Sequence, residues 1–94
     1  MEDMAFIVYI IQSKKTGRYY IGYTENLVNR LRQHNNGATK STQSQRPWKL
    51  VYQESYPNKR SAGERERQIK SYHGGEAFKK LIKVGLTPLR NLSN

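Results

Sequence analysis

The residues able to do chemistry are concentrated early in the chain. Arg18-Tyr19-Tyr20-Ile21-Gly22-Tyr23-Thr24 and the segment Asn26 to Asn36 that follows hold three tyrosines, a glycine, Arg30 and His34. That density of polar functional groups exceeds what a core strand needs. Seventeen Lys and Arg against seven Asp and Glu leave a formal charge of +10, a field that draws in polyanions and speeds their encounter. Nucleic acid is therefore the first partner to consider.

These groups must be positioned by the elements that carry them. Thr24 or Asn26 can cap a helix running to about Asn36, where Asn35-Asn36-Gly37 supplies a left-handed stop. At about 100° per residue, Leu27 and Leu31 define its apolar face. Arg30 and His34 fall one turn apart at the edge of that face, and Asn29, Arg32 and Gln33 point to solvent. The nearest surface for Arg30 and His34 to lean over is the hairpin that precedes the helix. A second candidate lies far along the chain. In a helix capped by Ser61 and running from Ala62 to about Tyr72, Glu64 faces water, while Glu66 turns inward, one turn from both Ala62 and Ile69. An inward carboxylate needs a cation or several donors, because burying it unpaired is costly.

The hairpin begins with Ala5 to Gln12, a β-branched and aromatic run read as a central strand buried on both faces. The polar loop Ser13 to Gly17 returns the chain antiparallel through Arg18 to Thr24. A tight turn at Lys14-Lys15 would make Tyr9 and Tyr20 direct cross-strand partners, and a five-residue loop would offset them by one. Ala38 to Arg46 is polar, basic and free of apolar anchors, a mobile loop suited to phosphate contacts. Trp48 to Tyr56 forms a third strand, with Trp48, Leu50, Tyr52 and Tyr56 on one parity. Gly74-Gly75 separates the Glu66 helix from a last one, Glu76 to Val84, with Ala77, Phe78, Leu81 and Ile82 inward and Lys79, Lys80 and Lys83 outward. Gly85 to Asn94 reads as an irregular tail. The expectation is one α+β domain spanning residues 1–94, with its core at about 5–84 and a three-stranded antiparallel sheet flanked by helices in the order β-β-α-β-α-α.

Composition excludes several classes. With no cysteine there is no disulfide framework, thiolate chemistry or cysteine zinc site. There is no long apolar run, signal-peptide pattern or basic amphipathic helix with a wide aromatic face. The expected protein is soluble and cytoplasmic, nucleoid-associated when bound to DNA, with no membrane partner and no protein partner identifiable.

The ordered set Ile7-Val8-Tyr9, Tyr20-Ile21-Gly22, Arg30, His34 and Glu66, the last within Ser-Ala-x-x-x-Glu-x-x-Ile-Lys, resembles the GIY-YIG nuclease domain. It is most similar to the small stand-alone members of that superfamily, the excinuclease-like single-domain proteins. The resemblance covers roughly Ala5 to Val84. It departs at Ile7, where the family's first tripeptide has glycine, while the tyrosine of that tripeptide is kept as Tyr9.

The resemblance implies a divalent-metal-dependent phosphodiesterase acting on DNA, structure-selective or weakly sequence-specific, in repair or recombination. Carried over by position, Glu66 would hold one Mg²⁺ or Mn²⁺ whose other ligands are water and phosphate oxygens. Tyr9 would take the proton of the attacking water, as phenolate or through His34. Arg30 would brace the charge growing on the phosphate, Tyr20 would orient water or phosphate, and Gly22 would allow close backbone approach. The family's late asparagine corresponds to Asn91. Lys40 and Arg46 of the polar loop, with Arg32 and Lys70 on helices, are the candidates to grip DNA, branched or flapped, or RNA, with little base preference. Taken singly, each residue has a plainer reading: tyrosines packing in a sheet, a glycine at a bulge, Glu66 paired with Arg30 or Arg65. The competing function is a non-catalytic DNA- or RNA-binding module on the same fold, with a protein scaffold more remote.

Overall fold

The computed structural model describes residues 5–85, so Asn91 and the rest of the tail lie outside the described residues. The order is β1 (Phe6–Ser13), β2 (Tyr19–Thr24), α1 (Leu27–Asn35), a 3₁₀ turn (Gln43–Gln45), β3 (Trp48–Tyr56), α2 (Lys59–Lys70) and α3 (Glu76–Gly85). The sheet is antiparallel with strand order β2-β1-β3. β1 is central as expected, and its run Val8 to Ile11 is almost fully buried because both faces are covered.

The two faces carry separate cores. Tyr9, Ile11 and Trp48 pack with Tyr20, Leu27, Leu31 and Leu50 on the α1 side. Val8, Ile10, Val51, Ala62, Ile69 and Phe78 pack on the α2 and α3 side. The expected single parity of β3 does not hold. Ile10 pairs with Tyr52 and Ile11 with Leu50, so Val51 is the extra residue of a bulge. Trp48 and Leu50 therefore face α1, whereas Tyr52 and Tyr56 face α2 and α3.

The hairpin register also differs from both alternatives. Tyr9 pairs with Gly22 and Ile11 with Tyr20, so the two tyrosines are diagonal neighbours on one face. The cause is a four-residue loop, Lys14 to Gly17. Ser13 donates its backbone N–H to the Arg18 carbonyl at 2.8 Å, and its hydroxyl accepts the N–H groups of Lys15 and Thr16. Gly17 closes the loop at φ +83°.

α1 is capped by Asn26, whose side chain accepts the Asn29 N–H at 3.0 Å, and it stops before Gly37 at φ +86°. α2 starts earlier than expected, because Asn58 and not Ser61 is the cap; Asn58 Oδ1 accepts the Ser61 N–H at 2.8 Å. α3 seats Phe78, Leu81 and Ile82 on the core, but Ala77 lies a quarter turn off that stripe and is exposed.

The segment Ala38 to Arg46 is anchored, contrary to expectation, and its anchors are polar. Thr42 is buried, its carbonyl accepts the Trp48 indole N–H at 2.9 Å, and the Gln45 carbonyl accepts the Ser13 hydroxyl at 2.7 Å. Asn35 brackets Trp48 by accepting its N–H at 2.6 Å and donating to its carbonyl at 3.1 Å.

Candidate active site

The α1 side of the hairpin brings Tyr9, Tyr20, Gly22, Arg30 and His34 together. Tyr9 and Tyr20 project from neighbouring strands with ring centroids 6.4 Å apart. His34 enters from α1 and meets Tyr20 edge-on at 4.9 Å and Tyr9 at 5.9 Å. Gly22 lies opposite Tyr9, where a Cβ would stand 2.7 Å from the Tyr9 hydroxyl oxygen and 3.3 Å from the Tyr20 ring. Any side chain at this position would displace the phenol, which gives the glycine a steric reason within the site.

His34 is not at the rim where its helical position suggested. It is fully buried, because the Thr42 turn closes over it. The imidazole bridges two hydroxyls, Nε2 to Tyr9 Oη at 2.9 Å and Nδ1 to Thr42 Oγ1 at 2.9 Å. Thr42 directs its own proton to the Thr39 carbonyl at 3.3 Å, so its oxygen accepts Nδ1–H. With that assignment, Nε2 accepts the Tyr9 O–H. Thr42 was not among the residues expected at the site, since nothing in a polar run distinguishes one hydroxyl destined for burial.

Arg30 stays half-buried at the rim. It donates to Gln33 Oε1 at 3.0 Å, so Gln33 does not simply face water, and its guanidinium is held protonated by the adjoining Tyr9 and Tyr20 hydroxyls. Among the described residues Arg30 has no carboxylate partner. The electrostatics follow from this packing. Burial and the Arg30 charge push the His34 imidazole down to about 4, so it is a neutral base at physiological pH. Burial raises the Tyr9 phenol above its ordinary value, opposed by its hydrogen bond and charge interaction with Arg30. Tyr9 is therefore a phenol poised to donate, not a standing phenolate.

Glu66 lies on α2, half-buried, and its charge reaches Tyr9, raising the phenol slightly further. Its partner is neither Arg30 nor Arg65 but Lys70, one turn along, with Nζ 3.1 Å from Oε2. Lys70, expected to grip nucleic acid, is thus turned to the carboxylate. Arg65 is committed elsewhere, to Glu54. Of the other candidate phosphate contacts, Arg32 and Lys40 are exposed. Arg46 is exposed too, but donates to the Gln43 carbonyl at 2.7 Å and packs over Gly37. Among the described residues no three His, Cys, Asp or Glu side chains gather, so Glu66 is a lone acidic donor. One hard oxygen already attended by an ammonium fits a cation that keeps most of its waters.

A family defined by this constellation is matched directly. The GIY-YIG catalytic domain family matches residues 5–80, and the chain belongs to that family of nuclease domains. Among its relatives, a UPF0213 protein of Staphylococcus saprophyticus is 41% identical over 79 residues, covering 83% of this chain and 94% of that one. A UPF0213 protein of Clostridium perfringens is 47% identical over 64 residues, 67% of this chain and 68% of its own. The solution structure of a UPF0213 protein from Bacillus halodurans superposes with a TM-score of 0.54 at 31% identity, covering 95% of this chain and 94% of that one. No helix among the described residues is long and apolar enough to cross a membrane.

Proposed function

We propose that the protein is a divalent-metal-dependent endonuclease that hydrolyses DNA phosphodiester bonds, selecting distorted structure over sequence, with repair or recombination as its setting. The observation that carries this reading is the relay from Tyr9 Oη through a buried, neutral His34 to Thr42, beside an arginine without a carboxylate partner. A purely structural cluster has no need of an uncompensated guanidinium.

The chain's residues divide the work. The Tyr9 oxygen accepts a proton from the attacking water as its own proton passes to His34 Nε2, so no phenolate need exist beforehand. The water oxygen forms the new bond to phosphorus and the leaving oxygen departs with the old bonding pair. Arg30 offers a planar fork to the phosphate oxygens on which charge grows. Tyr20, packed against His34, borders the phosphate and orients it. Thr42 keeps the imidazole tautomer that leaves Nε2 free to accept. Glu66 would hold Mg²⁺ or Mn²⁺, and the ion when bound supplies positive charge to the phosphate and its leaving group. Arg32, Lys40 and Arg46 contribute phosphate contacts around this centre.

The test is a Mg²⁺ and Mn²⁺ titration of cleavage on duplex, flap, junction and single-stranded DNA and on structured RNA, with Glu66→Ala alongside. Metal-dependent cleavage of a DNA substrate that Glu66→Ala loses is the expected result. No cleavage of any substrate, with salt-steep binding unchanged in Glu66→Ala, would establish the binding-module reading instead.

A further inference from the structure

A second feature lies on the other side of β2, where α2 crosses it. A surface groove of about 430 Å³ is lined by Tyr23, Lys59, Arg60, Gly63 and Arg67. Three of these five are cations. Arg60 is paired with Glu64 at 3.4 Å, but Lys59 and Arg67 have no carboxylate partner among the described residues.

The floor of the groove carries the argument further. Gly63 sits mid-helix, where glycine is disfavoured relative to alanine. No atom of the chain requires it: a Cβ would meet Arg67 Nη1 at 3.6 Å and Tyr23 Cε2 at 3.8 Å, ordinary contact distances. Gly22 is explained by the phenol opposite it, but Gly63 has no such internal reason. A bare helix surface between unpaired cations and an aromatic ring suits a chain that brings phosphates and flat bases. Lys59, Gly63 and Arg67 are spaced one turn apart along α2, and Glu66 is three residues from Gly63, on the adjoining row of the same helix.

We propose that this groove is a second nucleic-acid contact, holding backbone phosphates of the substrate strand on the Glu66 side of the protein. It deepens the nuclease reading by giving the substrate a path across α2. Lys59 and Arg67 hold phosphates, Tyr23 offers a ring for stacking, and Gly63 lets the strand lie against the helix.

The experiment is fluorescence-anisotropy binding of a flapped DNA duplex, with and without a 5′-phosphate, across a salt series in EDTA. The Lys59→Ala/Arg67→Ala protein is compared with Lys79→Ala/Lys80→Ala, which removes the same charge from α3. The groove pair should lower the slope of log K against log salt by about 2, roughly 0.9 per phosphate, and the α3 pair should change it little. Gly63→Leu, confirmed folded by circular dichroism, should keep the slope and weaken binding about tenfold. Equal slopes and affinities in the two double variants would overturn the proposal. So would parental binding by folded Gly63→Leu, or a loss confined to the 5′-phosphorylated DNA. Because binding is read without metal, a failed groove leaves the nuclease reading intact, and a protein that binds through the groove yet never cleaves overturns only that reading.

Discussion

Two clusters of tyrosine and arginine lie on opposite faces of the same sheet, and they behave differently. On the α2 and α3 face, Glu54 accepts Arg65 Nε and Nη2 at 2.9 Å each and also the hydroxyls of Tyr52 and Tyr56. Arg65 adds Gln68 at 2.7 Å and Tyr72 at 3.4 Å. On the α1 face, Tyr9, Tyr20 and Arg30 form a similar set, but a neutral histidine stands where the other cluster has a carboxylate. The carboxylate closes the first cluster: Glu54 is held down at about 2 by its Arg65 and tyrosine hydrogen bonds against the cost of burial, and Tyr52 is driven to about 12. The second is left one anion short. An enzyme acting on phosphate has reason to leave the role of that anion to its substrate.

The sharpest way to break this comparison is to remove each arginine's role in turn. Arg30→Ala should lower single-turnover cleavage by about 10²- to 10³-fold, the cost of losing one preorganised donor to developing charge, with little change in melting temperature. A comparable fall in stability without a fall in rate would make the cluster structural.

Glu54→Gln should do the opposite. It leaves Arg65 half-buried without its anion and should destabilise the fold by about 3 kcal/mol in urea unfolding, while the cleavage rate of the folded protein is retained.

Acid separates the clusters by pH. The folded pKa of His34 lies below its unfolded value near 6.5, so the unfolded chain takes up the proton first; its contribution is complete above about pH 6.5 and is lost as pH falls through about 4, up to roughly 3 kcal/mol. Glu54 is likewise depressed, from 4.5 to about 2, so its stabilisation is present above pH 4.5 and is lost as pH falls toward 2. Unfolding free energies across this range should show two steps, and Glu54→Gln should remove only the lower.

The smallest effect concerns Lys70, which competes with a cation for Glu66. Lys70→Ala should tighten Mn²⁺ binding by about two- to fivefold in calorimetry, the size of an exposed ion pair. Weaker binding would mean that Lys70 supports the site and does not occupy it.

What was legible in the sequence follows the same division. Tyr9, Tyr20, Gly22, Arg30 and His34 are gathered by one hairpin and the helix after it, so local periodicity was enough to bring them together. The pairings that depend on partners from other elements were not legible. A bulge at Val51 reverses the facing of half of β3 without any glycine or proline to mark it. The offset of Tyr20 from Tyr9 depends on a serine hydroxyl holding two loop amides. His34 became buried because Thr42, in a run without apolar residues, folds over it. Glu66 was rightly separated from Glu64 by helical phase, but its partner was one of several nearby cations, and distance alone chose Lys70.

One measurement addresses the central claim most directly: single-turnover cleavage and thermal unfolding of Tyr9→Phe and Tyr56→Phe, the same oxygen removed from each cluster. Tyr9→Phe should cut the rate by about 10²-fold or more with a melting temperature near that of the parent. Tyr56→Phe should lower the melting temperature and leave the rate of folded protein unchanged. A Tyr9→Phe protein that cleaves as fast as the parent would contradict the assignment of the α1-face cluster as the catalytic one.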